Sequence, residues 1–222
     1  MGYQLDFGAL VQYLDLFLHG TAVTLGLTAF ASVLGMGLGV AGAAASRSKY
    51  IWVRRSIASY VELIRNTPFI VQMFFIFFGL PSVGLRLSAL QAAALAMLIN
   101  LTAYAIEIIR AGLDSVPAGQ SEAARSMGLH GLAVFGLIVL PQALANVYPA
   151  LVGQITITML ESAVVSQIAV VDLTHVADLI QSRNFRSFET YLVITAIYLV
   201  LSVLLRRLLA LAGRGLFAGR VR

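Results

Sequence analysis

Residues 20–45, GTAVTLGLTAFASVLGMGLGVAGAAA, form one uninterrupted stretch without a charged side chain. A helix needs roughly 20 mainly apolar residues to cross a hydrocarbon core about 30 Å thick, so this stretch is long enough to span a membrane. The whole chain of 222 residues is 59% hydrophobic and only 11% charged. That composition leaves too little polar surface to cover a water-soluble globule. We therefore expect an integral membrane protein.

Further apolar stretches of similar length predict additional spans. Together the predicted spans lie at about 20–45, 58–80, 87–109, 132–160 and 188–211, with a loop at about 110–131. No Pro/Ser-rich linker or change of composition marks a second domain, so residues 1–222 are predicted to form one all-α transmembrane domain. The segment before the first span has acidic but no basic residues, unlike a signal peptide, and is kept as mature protein.

Basic residues predict the orientation, because cytoplasmic loops carry an excess of Lys and Arg. The stretch 46–55, SRSKYIWVRR, follows the first span and is densely basic, which places it in the cytoplasm and the N-terminus outside. Five spans then put the C-terminus in the cytoplasm. On the inner side lie Arg47, Lys49, Arg54, Arg55, Arg65, Arg110, Arg125, Arg206, Arg207, Arg214, Arg220 and Arg222. On the outer side lie only Arg86, Arg183 and Arg186.

The loop between the third and fourth spans predicts a short cytoplasmic helix. Pro117 and Gly119 interrupt the chain before it, and Gly128 is expected to end it. Gln120 or Ser121 is the expected N-terminal cap. A helix of about two turns is unstable alone in water, so it must dock against its own loop or a partner.

Three residues of this helix bear on what it does. Glu122 is expected in the first turn, where the helix dipole favours a carboxylate. Ala123 and Ala124 are expected to form a face with little side chain, suited to insertion into a groove on a partner. An ordinary amphipathic helix lying on the membrane surface is the alternative.

The spacing of these residues resembles a known motif. Glu122-Ala123-Ala124, then Gly128, then Ile138–Pro141 resembles the EAA loop of ABC importer permeases. From about residue 20 to 210 the chain is similar to the polar amino acid permease family of type I ABC importers. The similarity is carried by YVELIRNTPFIVQMFF (60–75), AYAIEIIRAGLDSVPAGQSEAA (103–124) and VLPQALANVYPAL (139–151). Where many relatives have a Lys-x-Thr-Ser-Leu-like stretch, this chain has LESAVVS (160–166), so its substrate is expected to differ from theirs.

The resemblance implies a type I ABC importer permease fold in a bacterial inner membrane. It implies that 118–131 is the coupling helix, with contacts to an ATPase subunit through Glu122, Ala123, Ala124, Arg125 and Gly128. The implied partners are an ABC ATPase dimer that binds ATP and Mg, a second permease subunit of the same or a similar chain, and an extracytoplasmic amino-acid-binding protein. Nucleic acid is not an expected partner.

The sequence predicts no cofactor and no metal in this chain, which is not expected to be an enzyme. There is no cysteine, and no G-x-x-x-x-G-K-[ST] motif for ATP. Glycines at 35–39 lie inside a span, where close helix packing explains them. Asp172, His175 and Asp178 have a spacing that a metal can use, but one loop with three such residues is weak support.

Polar side chains inside the spans are costly in lipid and are expected to face a pathway or a partner helix. They form stripes at helical spacing, Asn100, Tyr104 and Glu107, then Gln154, Thr158 and Glu161, and finally Thr195, Tyr198 and Ser202. With Ser162, the predicted substrate pathway is Asn100, Tyr104, Gln154, Thr158, Glu161, Ser162 and Tyr198. Hydrogen bonding between helices is the alternative for each.

Two acidic residues of these stripes are interpreted differently. Glu107 is expected to pair with Arg110 one turn later. Glu161 has no basic neighbour in sequence, which favours a cationic or generally polar amino acid as ligand.

Other classes of protein remain open from the residues alone. An autonomous channel or secondary transporter would make 118–131 mere surface structure. An intramembrane enzyme would use His19 or His175 with a nearby acid. The basic stretch 206–222 is expected to contact anionic inner-leaflet lipid.

Overall fold

The computed structural model describes residues 4–217, which are mainly helical and contain no strand. The helices in chain order are α1 (Leu14–Ala45), α2 (Ile51–Arg65), α3 (Phe69–Phe74), α4 (Ala89–Asp114), α5 (Ala118–Ser126), α6 (Gly131–Ala133), α7 (Leu140–Glu161), α8 (Leu173–Asn184) and α9 (Ser187–Leu216). Short stretches of 3₁₀ or π helix lie at Gly8–Tyr13, Phe75–Gly79, Leu80–Val83, Val134–Val139 and Ser162–Ile168. Arg220 and Arg222, counted above as cytoplasmic charges, lie outside the described residues.

Four helical stretches are long and apolar enough to cross a membrane. They are Gly8–Ala45, Ala89–Asp114, Gly131–Ile168 and Ser187–Leu216. Helix α2 and the stretch Phe69–Val83 pass the same test only as a pair, bent by 107°. Counting that pair as one span gives the five that the sequence predicts.

The bent pair differs from the span predicted at about 58–80, which is not one straight helix. The first of its helices already begins at Ile51, and the bend lies at Asn66–Pro68. Pro68 has no N–H for a helical hydrogen bond and disfavours helical backbone at the preceding Thr67. The side chain of Gln72 closes the bend, donating to the carbonyl oxygens of Ile64 at 2.7 Å and Thr67 at 3.0 Å.

Helices α1 and α4 pack along each other through small residues. A Cβ added at Gly39 would lie 2.6 Å from the Cβ of Ala105, and one added at Gly42 would lie 2.4 Å from the Ile106 side chain. Glycine at these positions therefore lets the two backbones approach closely. This confirms close helix packing for Gly39 of the glycine-rich stretch, whereas a Cβ added at Gly37 would meet nothing within 4 Å.

Helix α8 lies in a second apolar cluster, between the first and last spans. Its residues Leu173, Val176 and Ile180 are fully buried against Phe17 of α1 and Ile194 of α9. Gly20 makes the approach possible, because an added Cβ would lie 2.9 Å from the carbonyl oxygen of Asp172. The short helix is thus part of the core on the predicted outer side.

Candidate coupling helix and polar side chains of the spans

Helix α5 begins differently from what the sequence predicts. It starts at Ala118 with Pro117 at the cap position and no side-chain cap, so the predicted cap at Gln120 or Ser121 is wrong. The Ser121 hydroxyl instead donates to the Ala118 carbonyl oxygen at 2.8 Å. Glu122 falls in the second turn, so its predicted place in the first turn is also wrong. Pro117 starts the helix because its fixed φ suits the residue before the first turn.

The end of α5 is confirmed at Gly128. Gly128 has φ of +85°, a backbone conformation that favours glycine. The N–H of Gly128 donates to the Arg125 carbonyl oxygen at 2.9 Å, and the N–H of Leu129 donates to the Ala124 carbonyl oxygen at 3.2 Å. These two bonds form a Schellman motif, which satisfies the last carbonyl groups and turns the chain back toward the membrane.

The two alanines of α5 lie in different environments. Ala124 is buried, with 1% of its surface exposed, whereas Ala123 is exposed. Successive helix positions are about 100° apart, so adjacent residues do not share a face. The prediction that both alanines form one open face is wrong. Glu122, Ala123, Arg125 and Gly128 are exposed, and Arg125 also borders the cavity between α5 and the fourth span.

Helix α5 is held against the first turn of the fourth span. It packs on the π-helical turn Val134–Val139, in which Val134 is buried. A cavity of about 350 Å³ remains between them, bordered by Arg47 and Asp114, which form an ion pair. A short helix with few contacts of its own is therefore fixed to a membrane span.

Asn100 lies where α4 meets the bent pair. It is buried, and its Nδ2 donates to the Gln72 Oε1 at 3.0 Å. Within residues 4–217 its Oδ1 has no hydrogen-bond partner. Asn100 therefore connects two helices and still has one free acceptor.

Tyr104 and Glu107 lie one and two turns further along α4, beside Arg65. The Arg65 guanidinium is 5.4 Å from the centre of the Tyr104 ring and 3.6 Å from the Glu107 carboxylate. Arg110 donates to Glu107 at 2.7 Å, which confirms the predicted ion pair. These residues border a cavity of about 510 Å³ at the predicted cytoplasmic end.

The polar stripe of α7 is largely buried. Gln154 is 8% and Thr158 is 2% exposed, and the Thr158 hydroxyl has no hydrogen-bond partner among the described residues. Glu161 is half-buried at the last residue of α7 and forms no ion pair within residues 4–217. The stripe therefore contains two polar groups with free bonding capacity.

Ser162 and Tyr198 are brought together, with Asp172 as a third member that sequence reasoning did not place there. The Tyr198 hydroxyl donates to the Asp172 Oδ2 at 3.4 Å and lies 3.0 Å from the Thr174 hydroxyl. The hydroxyl groups of Thr24 and Ser162 are its other neighbours. Five polar side chains from four segments thus meet within the bundle.

Asp172 caps α8. It is fully buried, and its Oδ1 accepts the N–H of His175 at 2.9 Å. Burial raises the pKa of this carboxyl, and the hydrogen bonds from His175, Thr174 and Tyr198 oppose that rise. An Asp directly before a helix is the signal that predicts this capping role.

Other polar side chains considered from the sequence form local hydrogen bonds. Thr195 and Ser202 donate to carbonyl oxygens of their own helix, those of Tyr191 and Leu199. Within residues 4–217, no group of three or more His, Cys, Asp or Glu side chains is arranged to hold a metal ion. Asp178 accepts a hydrogen bond from the Tyr191 hydroxyl instead.

Comparison with known proteins identifies the family. Residues 31–217 match the family described as binding-protein-dependent transport system inner membrane component. This chain belongs to that family. The permease is 36% identical over 207 residues to the probable glutamine ABC transporter permease protein GlnM of Bacillus subtilis, covering 91% of this chain and 92% of the relative. It is 31% identical over 205 residues to the arginine transport system permease protein ArtQ of the same organism, covering 90% and 92%.

Solved structures resemble the permease over nearly its full length. A crystal structure of an amino acid ABC transporter with histidines aligns with a TM-score of 0.87 and 40% identity, covering 96% of this chain and 99% of the other. An inward-facing structure of the methionine ABC transporter MetNI aligns with a TM-score of 0.74 and 21% identity, covering 96% of this chain and 99% of the other. At this identity the alignment supports a shared fold only. The predicted type I ABC importer permease fold is therefore confirmed.

The family establishes the class of protein. The chain is a multi-pass inner-membrane permease subunit of an ATP-driven importer, and ATP hydrolysis belongs to a separate subunit. A permease of this class works with an ATPase and a substrate-binding protein. An autonomous channel and an intramembrane enzyme are thereby excluded.

Proposed function

We propose that this permease carries a polar amino acid inward as one half of a permease pair. The names of its relatives, with glutamine, arginine and amino acids as substrates, support this substrate class. The second half is another copy or a similar chain, with two ATPase subunits below and an extracytoplasmic amino-acid-binding protein above. ATP and Mg bind to the ATPase subunits.

The proposed contact with the ATPase is the exposed surface of α5, within 118–131. Glu122 and Arg125 supply polar contacts, Ala123 allows close approach, and Gly128 directs the chain back. The observation that carries this proposal is the burial of Ala124 between exposed neighbours. It attaches α5 to the fourth span and leaves the opposite side free to dock.

The packing of α5 explains how movement of the ATPase subunits would reach the membrane spans. When ATP closes the ATPase dimer, the two docked helices move toward each other. Because α5 packs on the turn Val134–Val139, its displacement is passed directly to the fourth span. The spans tip from inward-facing to outward-facing as packed units, as in other domain rearrangements.

The test is ATPase activity of the purified complex, with binding protein loaded in turn with Arg, His, Gln or Glu. Gly128→Asp places a side chain where φ is +85° and adds a charge on the docking side. We expect it to abolish stimulation by ligand while the complex stays assembled. Gly215→Asp is the control, because a Cβ there meets open space and φ is ordinary. Equal stimulation in both variants would show that α5 is not the transmitting element.

The proposed substrate pathway runs along the polar side chains of the spans, Asn100, Tyr104, Gln154, Thr158, Glu161, Ser162 and Tyr198. The free acceptor of Asn100 and the free hydroxyl of Thr158 support it, because each requires a partner that the described chain does not supply. Replacing Thr158 by Val keeps the shape but removes the hydroxyl. We expect a higher substrate concentration for half-maximal uptake, with unchanged assembly.

We further propose that Glu161 favours a cationic amino acid. It is half-buried without an ionic partner among residues 4–217, and a carboxylate at low local dielectric attracts a positive side chain strongly. Glu161→Gln is expected to reduce uptake of Arg relative to Gln. Asp15→Asn, which removes an exposed outer carboxylate, is the control. An unchanged order of preference among Arg, His, Gln and Glu in Glu161→Gln rejects the cationic ligand.

A further inference from the structure

A groove of about 880 Å³ lies between α7 and the last turns of α9. Its walls are apolar, and its one hydroxyl group, that of Tyr148, is engaged, donating to the Leu209 carbonyl oxygen at 2.6 Å. The Tyr148 ring is held in place by Gly213, where an added Cβ would lie 2.2 Å from it, and by the edge of the Phe217 ring. The shape of the groove is therefore built by tight packing.

Two arginines, Arg206 and Arg214, are the charged residues that line this groove. Both are exposed, and neither guanidinium group forms a hydrogen bond or ion pair with a group in residues 4–217. No acidic residue is among the residues that line the groove. The groove thus combines an apolar wall with two uncompensated positive charges.

The depth of the arginines in the membrane follows from their positions on α9. At about 1.5 Å per residue, Arg206 lies roughly 28 Å along the helix from Ser187, and Arg214 roughly 12 Å further. The hydrocarbon core is about 30 Å thick. With the first turn of α9 at the outer boundary, the two arginines bracket the headgroup region of the inner leaflet.

We propose that this groove binds an anionic phospholipid of the inner leaflet. An acyl chain lies along Val152 and Gly153, and the phosphate lies between Arg206 and Arg214. Arginine suits this role because its planar guanidinium donates two parallel hydrogen bonds to phosphate oxygens. A soluble phosphate would leave the apolar wall uncovered, whereas a phospholipid satisfies both the wall and the charges.

The experiment is native mass spectrometry of the intact transporter complex titrated with phosphatidylglycerol or phosphatidylcholine. Each arginine near an anionic surface contributes about fivefold in affinity, so we expect a preference for phosphatidylglycerol of more than tenfold. Arg206→Gln with Arg214→Gln is expected to lose the preference. Arg207→Gln, a neighbouring arginine that does not line the groove, is expected to keep it. Equal preference in all three proteins overturns the proposal.

A second pair of variants tests the groove itself. Gly153→Phe fills the groove without a clash, because a Cβ at Gly153 meets open space. Gly26→Phe is the control, because it adds the same ring at an exposed position of α1. Only Gly153→Phe is expected to release the bound lipid. Retention of phosphatidylglycerol by Gly153→Phe would show that the lipid binds elsewhere.

Two other occupants are distinguished directly. Inorganic phosphate or glycerophosphoglycerol that displaces phosphatidylglycerol at similar concentration would assign the site to a soluble phosphate and overturn the lipid. The chain has no cysteine, so Gly153→Cys provides one unique thiol. Its cross-linking to a second permease subunit would make the groove an interface between subunits and equally overturn the proposal. Labelling of that thiol by a lipid-soluble reagent, without cross-linking, supports it.

Discussion

Helices α5 and α8 are both short and both lie outside the long spans, yet they are stabilised in opposite ways. Helix α5 has no side-chain cap and buries Ala124 alone. Helix α8 is capped by Asp172 and buries a full apolar face with Leu173, Val176 and Ile180. The exposed polar side chains of α5 can therefore contact a partner. Helix α8, whose apolar face is buried, is instead part of the packed core of the chain.

The outer side continues this pattern at the start of α9. Glu189 is fully buried, accepts from the Arg186 guanidinium at 2.9 Å and from the Asp6 N–H at 3.1 Å. Buried charges are costly unless they are paired and hydrogen-bonded. These outer polar groups, Asp6, Arg186 and Glu189, are therefore paired within the chain, whereas Glu122 and Arg125 of α5 form no ion pair among residues 4–217.

The largest effect is expected where α8 meets α1. Gly20→Leu places a side chain within 2.9 Å of the Asp172 carbonyl oxygen and the Leu173 Cα, so backbone must move. Overpacking costs about 1–3 kcal/mol or more, and we expect a strongly lowered melting temperature and poor assembly of the purified complex. Gly26→Leu, which meets open space, is the control. Equal melting temperatures in the two variants would contradict the close contact.

Substitutions at the two adjacent alanines of α5 distinguish an effect on folding from an effect on docking to the ATPase. Ala123→Phe adds a ring on the exposed side, and we expect uptake to fall by about tenfold, the effect of losing roughly 1.4 kcal/mol of docking, with an unchanged melting temperature. Ala124→Phe adds the same ring on the buried side and is expected to lower the melting temperature as well. Normal uptake in Ala123→Phe would show that this side of α5 does not dock.

Asp172 is expected to make stability depend on pH. Burial raises its pKa in the folded chain, so the folded state binds a proton more tightly than the unfolded state. Its contribution to stability is therefore greatest below about pH 4, the ordinary Asp pKa, and is lost as pH rises through the raised value.

Asp172→Asn removes this titration and keeps a good helix cap. The melting temperature of the variant minus that of the wild type is expected to increase as pH rises from about 4, near the ordinary Asp pKa, toward neutrality. Asp178→Asn, on the same helix but only half-buried, is the comparison. A difference that stays constant with pH would mean that Asp172 does not titrate.

The smallest effect is expected for the ion pair beside α5. The side chains of Arg47 and Asp114 are 41% and 66% exposed. Exposed pairs contribute about 0–1 kcal/mol, so Arg47→Gln should hardly change the melting temperature. Lys49→Gln, which removes a nearby charge without an ion pair among residues 4–217, is its control. A drop as large as that in Ala124→Phe would show that this pair, rather than Ala124, holds α5 in place.

Sequence patterns predicted some features of the two helices and not others. Gly128 as the end of α5 was predictable, because a helix that stops at a left-handed residue favours glycine. The start of α5 was predicted wrongly, since Pro117 begins the helix without the side-chain cap that Ser121 suggests. Asp172 was considered as a metal ligand, although an Asp before a helix also indicates a cap.

The buried polar cluster around Tyr198 is a feature that local sequence patterns could not predict. Helical spacing placed Tyr198 on a polar face, and Ser162 was predicted on the substrate pathway, but Thr24 and Asp172 come from other parts of the chain. Their meeting depends on how α1, α8 and α9 pack. No local pattern contains that information.

The sequence by itself determined that this chain is a membrane protein, predicted which side its loops face, and showed that 118–131 resembles the EAA loop. Hydropathy, charge asymmetry and motif spacing depend only on residues that are close together in the sequence, so they can be recognised without the folded structure. The tertiary structure alone decided the 107° bend of the second span, which alanine of α5 is buried, and which charges are satisfied. These depend on contacts between distant segments, because burial is set by the helices that meet rather than by the residue itself.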